Sequence, residues 1–181
     1  MIRRGIAFSL CALTSFRGDD EETQKLVKLQ RKSISRSITY SFATPADKNQ
    51  IRRLLSGCGL PTLYIHRHLK FFIVAKAAEK IVGVIGLEAY GREGLLRSLC
   101  VDRAYRGRGV AKMLNARMMA YAHMQGIDRL YMFTFNAEEF ASKLGFHKIG
   151  KNRIPKSIRS TWQFQRLKFC PVVCLSKKMN I

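Results

Sequence analysis

The stretch from Leu95 to Gln125 constrains this chain more than any other, because it joins an apolar strand to a helix through a basic, glycine-bearing turn. Leu95-Leu96-Arg97-Ser98-Leu99-Cys100-Val101 reads as the strand. Ala111, Leu114, Met118 and Ala122, with Met119 on the flank, then recur at helical spacing through about Gln125, and Gly126 stops the helix. In the turn, Gly107 and Gly109 allow backbone conformations that a Cβ forbids and let the chain come close to an anion. The first amides of the following helix are unpaired and point beyond its end. Arg106 and Arg108 add positive charge at the same place, so the turn has the chemistry of a pyrophosphate cradle.

Two familiar phosphate loops fit poorly. A dinucleotide fingerprint needs a small residue where Lys112 stands, and a nucleoside-triphosphate loop needs Gly-Lys-Ser/Thr. A plain surface turn is the other alternative. Arg106, Gly109 and Ala111 resemble the acetyl-CoA loop of the GNAT N-acetyltransferase superfamily, written Arg/Gln-x-x-Gly-x-Gly/Ala. A second landmark follows downstream: Leu130 to Asn136 reads as a buried strand, the next residues as a short helix capped by Asn136, and Gly145-Phe146 as its exit. GNAT proteins carry the same strand, helix and Gly-Phe exit after the CoA helix, so the resemblance covers residues 37–150. More narrowly, Gly83 to Tyr90, Leu95 to Leu99, Gln163-Phe164 and Cys170-Pro171 resemble the arsenic-resistance N-acetyltransferase-like branch. That likeness speaks to ancestry more than to substrate.

The resemblance implies an α/β (α+β, mixed-sheet) GNAT acyl-CoA N-acyltransferase fold, a central mixed sheet flanked by helices. It implies acetyl transfer from acetyl-CoA, as co-substrate, to a primary amine, with a small amino-acid-like molecule as the expected partner. The loop Arg106, Gly107, Arg108, Gly109, Val110 and Ala111 is expected to hold the CoA pyrophosphate, Leu99, Cys100 and Val101 to present backbone groups to the pantetheine arm, and Asn136 to complete the cofactor site. Many relatives place an acidic tyrosine after the aromatic residue of the short helix. Here Phe140 is followed by Ala141, so that tyrosine is absent.

No carboxylate lies on the strand before the loop, where several relatives place a glutamate; alternation puts Leu95, Arg97 and Leu99 on one face and Leu96, Ser98 and Cys100 on the other. Glu88 is therefore the candidate catalytic base, against the alternative of an exposed strand-end charge. Arg97, within an apolar strand, needs a partner: either a substrate carboxylate, held in two-pronged contact, or Glu88. Ser98 either hydrogen-bonds substrate or satisfies local backbone.

Upstream, Ser37 to Phe42 alternates as a strand, a helix runs from Thr44-Pro45 to about Ser56, and Phe71 to Ala75 with Ile81 to Glu88 forms a hairpin. Residues 37–181 read as one domain, and the 47% hydrophobic content can supply its core. No apolar run reaches membrane-spanning length. Residues 1–36 read as a poorly ordered extension, since the charged, apolar start lacks a small-x-small cleavage pattern. Five cysteines, an odd count without regular spacing, predict a reducing, cytoplasmic setting. No metal site is expected: Cys170 and Cys174 lack a matching pair, and His66 and His68 flank Arg67 in what reads as a solvated loop.

Charge supports a rival. Lys and Arg number 33 against 12 Asp and Glu, and Phe140 to Ile181 contains no acid. Trp162, Phe164 and Phe169 interleave with Arg159, Arg166 and Lys168, either as an RNA-stacking face or as core aromatics on the last strands beside solvated cations. The alternatives to a small amine are thus RNA-associated or protein amines, or a CoA-binding protein with little activity. Any polyanion binding is expected to be weak and nonspecific.

Overall fold

A computed structural model describes residues 24–25 and 38–179. Apart from Gln24 and Lys25, the expected N-terminal extension lies outside the described residues. From Ile38 onward the elements are β1 (Ile38–Phe42), α1 (Lys48–Gly57), α2 (Ile65–His68), β2 (Phe72–Ala77), β3 (Lys80–Tyr90), β4 (Glu93–Val101) and α3 (Val110–Met124). They continue with β5 (Arg129–Thr134), α4 (Glu138–Lys143), β6 (His147–Lys148), α5 (Lys156–Arg159), α6 (Trp162–Leu167) and β7 (Val173–Lys178).

The strands form one seven-stranded mixed sheet in the order β1-β2-β3-β4-β5-β7-β6, in which only β4 and β5 are parallel. Parallel neighbours need a crossover, and α3 supplies it. Apolar side chains cover both faces. On one face Ile85, Leu87, Leu96 and Leu130 pack beneath Leu114, Met118 and Ala122 of α3. The other face carries two separate clusters: Val74, Ile81, Val84 and Cys100 against Ile51 and Leu55 of α1, and Leu95, Tyr131 and Cys174 against Ile158 and Phe164 of α5 and α6.

The strict alternation expected along β4 fails at Ser98. Gly86 pairs with Arg97 and Val84 with Cys100, so Ile85 faces both Ser98 and Leu99, and Ser98 sits in the left-handed region at φ 59°. This bulge shifts the facing of everything after it. Leu99 therefore packs on the α3 side with Leu96, while Cys100 joins the α1 cluster on the face of Leu95.

That shift also bears on the reducing setting predicted from the cysteine count, which gave no expectation of a disulfide. Cys100 now faces Cys58 at the end of α1, and the two are joined in a disulfide; Cys170 and Cys174 are free. The last strands also differ from expectation. Trp162 and Phe164 lie on α6, with Phe164 buried, and Phe169 in the following loop is 89% exposed. Nor does Asn136 cap α4. Ala137 occupies the cap, and the Thr134 hydroxyl accepts from the amides of Asn136 and Ala137 at 3.3 and 3.0 Å. No helix among the described residues is long and apolar enough to cross a membrane.

Candidate functional site

The sheet opens where β4 and β5 part. They pair only from Glu93–Arg129 to Leu95–Tyr131, and beyond that a cleft of about 410 Å³ lies between them. Its walls include Leu96 to Val101 of β4 and Met132 to Thr134 of β5. The bulge matters here because Ser98 and Leu99 have no one-to-one partners on β3. Backbone groups released from a ladder are free to meet a ligand.

At the end of β4 the chain turns tightly. Asp102 accepts from the Ala104 amide at 3.0 Å and pairs with Lys80 at 2.7 Å, fixing a 3-10 turn over Arg103–Tyr105. The carboxyl of Asp102 is held below the usual range, first by the hydrogen bond from Lys80 and then by that from Ala104. Arg106 folds back, its Nε donating to the Val101 carbonyl at 3.0 Å. Gly107 and Gly109 take φ 71° and 79°, conformations that side chains rarely adopt, and bring the chain into α3. The first bond of the helix runs from Met113 N–H to the Gly109 carbonyl at 2.9 Å, leaving the preceding amides to face outward. Arg108 lies over the Tyr105 ring at 5.4 Å.

Of the expected residues, Arg97, Ser98, Leu99, Cys100, Val101, Arg106, Ala111 and Asn136 line this one cleft. Gly107, Arg108 and Gly109 form the turn leading to it, and the Val110 side chain is buried in the core. Residues not foreseen also line it: Asn115, buried and one helical turn beyond Ala111, with Thr134, Phe140 and Gln163. A polar residue on the apolar stripe of α3 was the available signal for Asn115. The Gln163 side-chain oxygen is buried without a donor among the described residues. Ala141 is fully buried, and among the described residues no tyrosine, aspartate or glutamate lines the cleft.

Glu88 lies outside the cleft lining, behind Arg97. Arg97 Nη1 donates to Glu88 Oε1, and the Tyr90 hydroxyl donates to Glu88 Oε2 at 2.6 Å. Arg97 also donates through Nη2 to the Leu63 carbonyl at 3.3 Å and through Nε to the Ser98 hydroxyl at 3.4 Å. Burial, reinforced by the hydrogen bond to Glu88, raises the Tyr90 phenol well above its ordinary value. His68 is not a freely solvated loop residue: its Nε2 is 3.9 Å from Glu88 Oε1. Burial lowers its pKa despite the opposing pull of Glu88. This polar knot fills the space between the two apolar clusters on that face. Of the two partners open to Arg97, its guanidinium has Glu88.

Residues 68–148 match the family described as acetyltransferase (GNAT) domain. The chain is 24% identical over 121 residues to an uncharacterized N-acetyltransferase of Chlorobaculum tepidum, covering 62% of this chain and 77% of that protein. It is 34% identical over 91 residues to N-acetyltransferase 8B of Homo sapiens, covering 45% of this chain and 40% of the human protein. In structure it resembles N-acetylglutamate synthase from Neisseria gonorrhoeae complexed with coenzyme A and N-acetyl-glutamate, with TM-score 0.70 and 20% identity, across 80% of this chain and 35% of that one. A Mycobacterium tuberculosis protein in complex with CoA aligns with TM-score 0.69 and 19% identity, across 78% of this chain and 99% of that one.

Proposed function

We propose that this chain, whose residues 68–148 match the acetyltransferase (GNAT) domain family, transfers acetyl from acetyl-CoA to the primary amine of a small, amino-acid-like molecule. One observation carries the proposal: the bulged end of β4 and the unpaired amides at the start of α3 meet along a single cleft. The amides beyond Arg106 are suited to the pyrophosphate, and the edge of β4 from Ser98 to Val101, which β5 does not pair, to the pantetheine amides.

In the reaction, the neutral amine attacks the thioester carbonyl, the carbon–sulfur bond breaks, and CoA leaves as the thiol. The described lining holds no carboxylate or tyrosine, and in this reading water takes the amine's proton and protonates the departing sulfur. In this reading the backbone N–H groups at the Ser98 bulge, which lacks one-to-one partners on β3, supply the oxyanion contact. Glu88 acts as a positioning residue, because both its oxygens already accept hydrogen bonds and its ion pair holds Arg97 beside the cleft. The likeness to the arsenic-resistance branch does not choose the acceptor.

The test is to follow free thiol release from acetyl-CoA with purified protein across a panel of primary amines. Amine-dependent release supports the proposal. CoA binding without release from any acceptor contradicts it and favours a binding protein.

A further inference from the structure

Two segments flank the mouth of the cleft, and neither carries an acid. Residues 57–71 contain His66, Arg67, His68 and Lys70 but no Asp or Glu, and residues 140–179 contain none either. The segments meet through an aromatic contact: the rings of Tyr64 and Trp162 are 5.4 Å apart, edge to face. Each ring carries a guanidinium, Arg67 at 4.7 Å from the Tyr64 centroid and Arg166 at 5.7 Å from that of Trp162.

This group adjoins the cleft on both sides. Tyr64 follows Leu63, whose carbonyl holds the lining residue Arg97, and Trp162 precedes the lining residue Gln163. Neither Arg67 nor Arg166 pairs with a carboxylate among the described residues. The nearby Glu88 is committed to Arg97. Two like charges therefore sit on one aromatic pair with no carboxylate partner among the described residues, an arrangement that an anion stabilises and a second cation opposes.

We infer that the acetyl acceptor is an amine that also carries an oxyanion, a carboxylate or a phosphate-type group, received by Arg67 and Arg166 at the Tyr64–Trp162 rim. This rests on the acetyl-transfer reading and narrows it, setting aside polyamines and lysine-rich peptides as acceptors. Arg97 takes no part in holding the oxyanion, since Glu88 neutralises it.

Trp162 is the only tryptophan in the chain, so its fluorescence reports directly on the rim. The CoA-loaded full chain is titrated at constant ionic strength with L-glutamate, 2-aminoethylphosphonate, ethanolamine and putrescine. A saturable change with glutamate or with 2-aminoethylphosphonate is expected, and the two arms tell carboxylate from phosphate chemistry. Ethanolamine and putrescine are expected to leave the emission unchanged. Arg67→Gln and Arg166→Gln should each weaken the response about tenfold or more, the scale of losing a charge-assisted hydrogen bond, with CoA affinity unchanged. An equal response to putrescine, no response to either anionic amine, or wild-type affinity in both variants overturns the inference. Failure of the wild-type chain to bind CoA in the loading step counts instead against acetyl transfer.

Discussion

Glu88 on β3 and Arg97 on β4 are diagonal neighbours across the hairpin, and their ion-paired side chains are only 6% and 5% exposed. Taking both charges out of water is costly, and Tyr90, Leu63 and Ser98 offset that cost by occupying their remaining hydrogen-bonding capacity. Breaking one side should therefore hurt more than replacing both. Glu88→Gln leaves a buried, uncompensated guanidinium and is expected to destabilise the fold by about 3–5 kcal/mol. The double variant Glu88→Leu with Arg97→Met should recover most of that loss. Denaturant unfolding followed by tryptophan fluorescence checks both, and additive losses in the double variant would contradict the coupling.

The Cys58–Cys100 bridge ties the end of α1 to the bulged strand, across 42 residues of sequence. Closing a loop of that length is worth about 4 kcal/mol in the unfolded chain. Thermal unfolding with and without reductant should show a lower Tm on reduction, and Cys58→Ser should melt at the reduced value in both conditions. Identical melting of the wild-type chain in the two conditions would show that the bridge contributes no stability.

Asp102 predicts an acid-side dependence for the turn leading into α3. Its folded pKa lies below the ordinary value of 3.8, chiefly because of Lys80 and then the Ala104 amide. A depressed carboxyl contributes stability that is fully present above its unfolded pKa and is lost as pH falls through the folded one. The stability advantage of the wild-type chain over Asp102→Asn should thus be constant above about pH 5 and shrink on acidification through and below 3.8. Parallel unfolding titrations of the two proteins measure it. An advantage that grows on acidification would reverse the assignment.

Much of this architecture is legible in the residues. Helical spacing from Ala111 to Ala122, the glycines at 107 and 109, and the Gly145 exit are local signals, and the structure puts a helix, a turn and an exit there. What depended on distant contacts was not legible. Ser98 has no residue-type preference that announces a left-handed φ, so the expected facing of Leu99 and Cys100 is reversed, and the disulfide to Cys58 was not foreseen. Trp162 and Phe164 belong to a helix of six residues, too short for its periodicity to stand out from a strand. Asn136 looked like a cap because of its type, but Thr134 sits where a hydroxyl reaches the free amides. The rim formed by Tyr64 and Trp162 joins segments nearly a hundred residues apart and exists only in three dimensions.

The central claim, that CoA is held by the turn leading into α3, is tested most directly by calorimetry of CoA binding to the wild-type chain and to Gly109→Trp. Gly109 occupies φ 79° with open space where a side chain would project, so the indole would stand in front of the helix amides rather than inside the core. A thermal melt establishes that the variant is folded. The account predicts clear CoA binding by the wild-type chain and its loss in the folded variant. Unchanged CoA affinity in folded Gly109→Trp would contradict it.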